Sequence, residues 1–279
     1  MSEKRYEFTL SPELLEKAVT ELNEPRDNTE RLKAIDELKA NYKESKYGPL
    51  LSTEDGFLLR FLRAKKFNQK KAVTALHNYH EARQNNKEIF DKVNNPILLK
   101  EVWDCGIMVA VEGAGLDGSC VVLERAGLIK KGMDIYALTA YGVLTMEKLL
   151  ENEQHQICGL QTMEDLENFN ISIITKVSPI ALAKMNSIWQ DAMPLRIKAM
   201  HMFHEGTIMD ILMTLFKPFL KEKLVKRIHM HGNSFEKVQN MVDTTKLPPC
   251  FGGTGPSIDT IASEWNEKMK MAWSEDTYL

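Results

Sequence analysis

The hydrophobic pattern of this 279-residue chain changes its period once, near residue 95. Before that point, apolar residues recur every three or four positions, which is typical of amphipathic helices. Residues that favour helix starts open each predicted helix: Ser11 with Pro12, Asn28, Thr53 and Asn68. The pattern therefore predicts an all-α N-terminal bundle over residues 10–94.

Beyond Asn94, Asn95 and Pro96, short apolar runs alternate with longer amphipathic stretches. The predicted strands cover residues 107–111, 120–123, 157–163, 198–203 and 227–231. The predicted helices cover residues 134–155 and 179–192, with two further pieces between 207 and 225. This alternation favours an α/β fold, a mostly parallel sheet flanked by helices, over residues 95–255. A last helix near 258–273 is predicted in a C-terminal helical tail, residues 256–279.

The charge balance excludes one large class of partners. The chain has 36 Lys and Arg against 39 Asp and Glu, a net charge of -3, so it lacks the positive field that nucleic-acid binding needs. Four widely spaced cysteines, Cys105, Cys120, Cys158 and Cys250, are expected to be free thiols. No signal peptide or apolar run of membrane-spanning length occurs, so we expect a cytosolic protein without nucleic-acid partners.

A glycine-rich segment, GAGLDG at residues 113–118, matches the spacing of dinucleotide-binding loops. Such a loop must open a helix whose N-terminus holds the pyrophosphate. Here residues 119–124 form another β-rich run instead. The glycines and Asp117 suit a tight turn, so the segment is interpreted as a hairpin connection and no nucleotide cofactor is expected.

Two pairs of histidines, His201 with His204 and His229 with His231, raise the question of a metal site. Neither pair follows the H-E-x-x-H pattern, and no third ligand is identifiable. We therefore interpret them as structural residues and expect no metal. No nucleophile signature such as G-x-S-x-G occurs either, so no catalytic residue is predicted.

The segment TIMDILMTLF at 207–216 has an apolar arc of roughly 200° when it is drawn as a helix. Ile208, Leu212 and Leu215 share its narrowest face. One interpretation is a helix buried on two sides. The other is a lid, with one face on an apolar cavity and the opposite face available to a membrane.

Positive charge gathers directly after this segment, where five basic residues surround the single acidic residue Glu222. They are Lys217, Lys221, Lys223, Lys226 and Arg227. A solvated helix face is one explanation. An apolar helix joined to a basic cluster is also an arrangement that binds anionic lipid surfaces, and both explanations stay open.

Four ordered motifs resemble the CRAL-TRIO lipid-binding family, on its branch of tocopherol and retinaldehyde carriers. They are FLLRFLRA at 57–64, KPFL at 217–220, RIHMHG at 227–232 and LPPCFGG at 247–253. The likeness spans residues 10–255. It implies a helical N-terminal domain, an α/β domain that encloses one apolar ligand, and a lid helix that opens at membranes.

The resemblance also implies two sets of site residues. The ligand pocket would be lined by ten apolar positions: Val143, Met146, Leu160, Phe169, Ile171, Met185, Ile188, Met193, Leu195 and Met200. A phosphoinositide site would consist of Lys65, Arg196, Lys223 and Arg227. The chain departs from the branch at Gly142 and Met146, near where the branch has a serine, and at Glu164, where it has an aromatic residue.

The resemblance implies a carrier of a tocopherol, retinoid or carotenoid-like isoprenoid that exchanges its ligand at phosphoinositide-containing membranes and makes or breaks no bond. Its partners would be the hydrophobic ligand and the membrane surface. Three alternatives stay open. A phospholipid exchanger of the same fold would need polar groups in the cavity. A nucleotide-dependent enzyme rests only on the glycine loop, and a lipid-gated scaffold would recruit proteins through its helical bundle.

Overall fold

The computed structural model describes residues 5–42, 48–175 and 177–274. Side-chain caps fix the N-terminal helices: Ser11 accepts from the Leu14 amide, and Asn68 accepts from the Lys71 amide. The first five helices are α1 (Pro12–Leu22), α2 (Asn28–Asn41), α3 (Asp55–Ala64), α4 (Gln69–Asn85) and α5 (Lys87–Val93). The predicted helical bundle is thereby confirmed, and α5 is a helix inside the range 10–94 that the sequence analysis did not single out.

The second region alternates strands and helices. Its elements are α6 (Lys100–Asp104), β1 (Met108–Val111), β2 (Cys120–Arg125), α7 (Ile135–Leu149), α8 (Glu153–Cys158), β3 (Leu160–Asp165), α9 (Ser172–Thr175), α10 (Pro179–Ser187), β4 (Ile197–Phe203), α11 (Ile208–Phe216), α12 (Glu222–Val225), β5 (Ile228–Met230) and α13 (Ile258–Ser274). A π-helical turn, Ile188–Ala192, follows α10. The sheet order is β1-β2-β3-β4-β5, with β1 antiparallel to β2 and all other pairs parallel. The mostly parallel α/β fold is confirmed.

The single helix predicted over 134–155 is wrong, because the chain breaks after α7. Asn152 accepts a hydrogen bond from the Gln154 amide (2.9 Å) and so starts α8 as a separate helix. Gly159 then ends α8 with φ +85°, and a Cβ there would lie 2.5 Å from the Arg196 carbonyl oxygen. The apolar pair Ile157 and Cys158 therefore belongs to a helix rather than to β3.

The glycine-rich segment joins β1 to β2 as the predicted hairpin connection. Asp117 accepts from the Ser119 amide (3.0 Å), and Gly113 and Gly118 adopt positive φ values of 64° and 84°. The segment leads into β2, where a nucleotide-binding loop would open a helix.

The sheet has two distinct faces. One row of side chains on what we call the inner face runs across all five strands: Met108, Glu124, Glu164, Met202 and Met230. Helix α7 lies against this face at β1, where the Tyr141 hydroxyl donates to the Met108 carbonyl (3.2 Å). The opposite face carries Phe203, whose ring stacks on Phe235 at 4.3 Å.

One hydrophobic core connects the two regions. Leu62 and Leu76 of the bundle, Val122 of the sheet and Trp265 of α13 all belong to the same cluster and are almost fully buried. Helix α13, predicted in the C-terminal tail, therefore contributes to the core. The division into residues 10–94, 95–255 and 256–279 stays a prediction.

Candidate functional site

Helix α11 is strongly apolar and yet poorly buried. Of its nine described residues, seven are apolar, and Met209 alone is buried. Ile211 is 41% exposed. The interpretation of this segment as a helix buried on two sides is wrong, because a core helix of this composition would be enclosed by other elements.

The orientation of α11 separates its two sides. Asp210, Ile211 and Thr214 are exposed, while the predicted lid residues Ile208, Leu212 and Leu215 are half-buried. The narrow apolar face therefore points inward in this conformation. Sequence periodicity found that face, but it could not identify Ile211 as the large apolar side chain most exposed on the outside.

The chain after α11 is tied to α10 and its π-helical turn. The side-chain amides of Asn186 and Gln190 both donate to the Phe219 carbonyl, at 2.6 and 2.8 Å. The Lys221 amide in turn donates to the Gln190 side-chain oxygen (2.7 Å). We call these three hydrogen bonds the latch, because they hold the end of the apolar helix in place.

Most of the ten predicted pocket residues lie together in the interior. Seven of them belong to or pack against the hydrophobic core cluster: Val143, Met146, Leu160, Met185, Ile188, Met193 and Leu195. Phe169, Ile171 and Met200 lie outside that cluster. The seven come from α7, β3, α10, the π-helical turn and the segment between that turn and β4, so distant stretches of sequence converge on one apolar region.

The predicted pocket residues do not line the open cleft between α4 and α10, which has a volume of about 370 Å³. That cleft is lined by polar side chains such as Asn78, Asn86 and Asp191, and by none of the ten. Seven of the ten instead belong to or pack against the hydrophobic core cluster.

Gly142 on α7 lets an aromatic ring approach the helix. A Cβ at this position would lie 2.9 Å from the Trp189 ring and 3.6 Å from the methyl group of Met108. Trp189 thus occupies the space that a larger side chain at residue 142 would need. This wall of the interior is consequently apolar and aromatic.

Two carboxyl groups lie side by side on the inner face, because Glu124 of β2 is the register partner of Glu164 of β3. Burial raises the pKa of Glu164 to about 7, and burial together with the charge of Glu164 holds the pKa of Glu124 well above its usual range. Sequence analysis singled out Glu164 and missed Glu124. The available signal was a charged residue that ends the apolar run at 120–123.

Three of the four predicted phosphoinositide-binding residues form a basic cluster. Burial and the positive charges of Lys223 and Lys221 lower the pKa of Lys65. Burial and the charges of Arg227 and Lys221 lower that of Lys223. The repulsion of Lys65 by Lys223, and of Lys223 by Arg227, places the three residues in one basic region. Lys221 was not in the predicted set, and it also pairs with Asp191.

Arg196 and Arg227 both donate to backbone carbonyls, but among the described residues only Arg196 of the predicted set also pairs with an acidic side chain. It donates to the Ile157 carbonyl and pairs with Glu21 at 3.3 Å. It lies near enough to Arg227 for the two charges to repel each other. Its guanidinium is therefore partly neutralised within the fold.

The histidines divide between the sheet and its edge. His201 bonds to His231 (2.9 Å) and to the Gln161 side-chain oxygen (3.2 Å), and burial lowers its pKa to about 4. This agrees with the predicted structural role.

His204 lies at the ends of β3 and β4, where it donates to Asp165 (2.7 Å). The ring nitrogen of His204 and the carboxylate oxygens of Asp165 and Glu167, which are atoms that could bind a metal ion, lie within 4.8 Å of one another. This group is partly exposed, and sequence spacing did not bring it together.

The search for membrane-crossing segments gave a negative result for the described part of the chain. None of the helices there combines the length and the apolar character needed to span a bilayer.

Two family models match the chain. The CRAL/TRIO domain matches residues 106–253, and the CRAL/TRIO N-terminal domain matches residues 34–78. The first covers the sheet with α7, α10 and α11, and the second covers parts of α2 and α4 with all of α3.

Curated relatives extend the match over nearly the whole chain. The human alpha-tocopherol transfer protein-like protein is 32% identical over 275 residues, which are 98% of this chain and 78% of the relative. The mouse protein of the same name is 33% identical over 274 residues, 97% of this chain and 78% of the relative. Clavesin-1 of Xenopus laevis is 31% identical over 254 residues, 90% of this chain and 75% of the relative.

A solved structure agrees on the fold. The crystal structure of Sfh5 matches with a TM-score of 0.52 at 14% identity, and the match covers 96% of this chain and 99% of that one. A likeness at this identity concerns architecture alone. The family models and the relatives above 30% identity lead to one conclusion: the chain belongs to the CRAL/TRIO family.

Proposed function

We propose that this protein is a carrier that encloses one hydrophobic isoprenoid-type molecule, such as a tocopherol, a retinoid or a carotenoid, and exchanges it at phosphoinositide-containing membranes. The observation that carries the proposal is α11, an apolar helix whose inner face is half-buried and whose outer face exposes Ile211. Helices of this composition are stable where a ligand or a bilayer covers their apolar side. The tocopherol-related names of two relatives support this class of ligand.

The exchange step is proposed to begin at the latch. The two side-chain amides of the latch, from Asn186 and Gln190, hold the Phe219 carbonyl, which lies between α11 and Lys223 in the chain. When Lys65, Lys223 and Arg227 bind inositol phosphates, the segment that carries Lys223 is drawn toward the membrane. Release of the latch would let α11 turn its inner face, with Leu212 and Leu215, toward lipid and open the interior.

Transfer of this kind needs no covalent step. The ten pocket residues are all apolar and offer no nucleophile or general acid. Their contribution is to remove apolar ligand surface from water, at about 25 cal/mol per Å². The carrier would therefore act by binding and release alone, in the cytosol and at membrane surfaces.

A phospholipid exchanger of the same fold is the competing function. It was disfavoured on sequence because the ten pocket positions have no polar groups. Glu124 and Glu164 add polar groups to the inner face, but both are acidic. A phosphate beside them would be repelled, so the isoprenoid carrier remains the better-supported function.

The direct test is organic extraction of the purified full chain followed by mass spectrometry. We expect one co-purifying isoprenoid, or stoichiometric uptake of α-tocopherol or retinol from detergent. The variant Ile188→Asp places a carboxylate in the predicted pocket and should abolish uptake, whereas Ser187→Asp, on an exposed position next to it, is the matched control. A purified protein that holds phospholipid, and that takes up neither test ligand, would refute the isoprenoid assignment.

A further inference from the structure

The carboxyl groups of Glu124 and Glu164 share the inner face with two residues of the predicted pocket, Leu160 and Met200. Alternation along β3 places Glu164 on the same face as Thr162 and Leu160, and Thr162 is the register partner of Met200 on β4. On the other side, Glu124 pairs in register with Met108, whose methyl group approaches α7 at Gly142. The pair therefore lies between the sheet and the helix that covers it.

The two carboxyl groups are short of hydrogen-bond donors. The Thr162 hydroxyl donates to Glu164 at 3.3 Å. Among the described residues, no hydrogen bond or ion pair reaches the Glu124 carboxyl group, and no cation pairs with Glu164. Both side chains are half-buried although protein surrounds their carboxyl groups. This combination is expected of groups that border an internal space, since enclosed carboxylates without partners are costly.

The wall opposite the sheet is apolar and aromatic at this level. Gly142 of α7 and the Trp189 ring face the Met108 side chain of β1 there. An amphiphilic ligand with one polar end would find its polar partners on the sheet rather than on α7. Two adjacent carboxyl groups that share one proton present a carboxylate that accepts hydrogen bonds and disfavours a third negative charge.

We infer that Glu124 and Glu164 bind the polar end of the carried molecule and select ligands whose apolar body ends in a hydrogen-bond donor, an alcohol or an amine, over those that end in a carboxylate or a phosphate. This inference rests on the proposed carrier function and specifies the class of its ligand. A site built to receive a donor discriminates strongly against an analogue that cannot supply one, because the buried acceptors then stay unpaired.

The test compares retinol, retinylamine and retinoic acid, which share one apolar body, by quenching of tryptophan fluorescence. Wild type is expected to bind retinol and retinylamine at least tenfold more tightly than retinoic acid. The double variant Glu124→Leu with Glu164→Leu should lose that preference and gain affinity for retinoic acid. Glu167→Gln, on an exposed carboxylate just beyond β3, is the control and should keep the wild-type order.

A second matched pair of ligands is α-tocopherol and α-tocopheryl phosphate. The two pairs together test the carrier function separately from the selectivity for a hydrogen-bond donor. Equal affinity of wild type for the alcohol and the anion of each pair would overturn the donor selectivity and leave the carrier function standing. An unchanged preference in a folded double variant would overturn it as well. If wild type binds no retinoid and no tocopherol, the carrier function fails, and the inference fails with it.

Discussion

Two groups of buried charge in this molecule have opposite organisation. In the N-terminal region, Glu24 lies between Arg31 and Arg63, with oxygen to nitrogen distances of 2.8 Å to each and side-chain exposures of 0–1%. In the sheet, Glu124 and Glu164 have each other as neighbours, and no cation among the described residues pairs with either. The fully paired charges stabilise the fold, whereas we infer that the carboxyl groups without a cation belong to a site that a ligand completes.

The paired group also joins the two family-matched regions. Arg63 lies in α3, and its guanidinium donates to Glu24 and, at 2.8 Å, to Glu153 and Gln156 of α8. Arg63 is the last arginine of FLLRFLRA, the motif at 57–64 that first suggested the family. Its physical role is therefore to hold the bundle against the α/β region.

The largest expected effect comes from breaking the paired group. Arg63→Met leaves Glu24 buried with one partner fewer and should lower the free energy of unfolding by about 3–5 kcal/mol. Chemical denaturation of the full chain measures this. Arg26→Met, in an exposed pair with Glu16, is the control and should cost less than about 1 kcal/mol. Equal losses for the two variants would mean that the buried group is not what joins the regions.

A substitution at the carboxyl pair of the sheet is expected to raise the free energy of unfolding rather than lower it. Glu164→Leu removes a carboxyl group that is buried without a cation, so at pH 7 the ligand-free protein should gain about 2–3 kcal/mol of unfolding free energy. The folded-state pKa of about 7 lies above the unfolded value of 4.5. Wild type therefore loses stability as the pH rises from 4.5 through 7, and the advantage of the variant should vanish near pH 4.5. Denaturation curves at several pH values test this, and a variant that is less stable than wild type at pH 7 would contradict it.

The smallest expected effect is on binding to vesicles. In the basic cluster, too, a cation with an acidic partner can be compared with cations that repel one another. Lys223→Gln with Arg227→Gln removes charges that repel each other, and should weaken binding to phosphatidylinositol bisphosphate vesicles about tenfold. Arg196→Gln removes a charge already paired with Glu21, so its loss should be less than about threefold. Vesicle sedimentation at low and high salt measures both, since screening should reduce the difference. Equal losses of vesicle affinity would mean that the ion pair with Glu21 does not limit the contribution of Arg196 to membrane binding.

The order of elements was predictable from local signals, and long-range pairing was not. Periodicity and caps located the helices that follow Ser11 and Asn68, because these depend on neighbours within one turn. The break at Asn152 was missed because residues 151–156 are polar and contain no glycine or proline to mark the end of a helix. The end of α8 at Gly159 depends on the carbonyl of Arg196, a residue far along the chain.

In the candidate site, too, the residue types were predictable from sequence, whereas the contacts between distant residues were not. The resemblance to the family suggested the pocket and phosphoinositide-binding residues, and their types fit those roles. Whether Lys65 lies near Lys223, and whether Arg196 is free, depends on contacts between distant segments. Glu124 became significant through its register with Glu164, which no single strand sequence specifies. The outward position of Ile211 likewise depends on how α11 packs.

Transfer of a bound ligand to membranes tests the central claim most directly. Protein preloaded with a fluorescent tocopherol analogue would be mixed with neutral vesicles or with vesicles that contain phosphatidylinositol bisphosphate, and the rate of ligand loss recorded. We predict release about tenfold faster to the phosphoinositide vesicles, with the difference largely lost in Lys223→Gln with Arg227→Gln. Equal release rates to the two vesicle types in wild type would contradict a carrier that opens at phosphoinositide membranes.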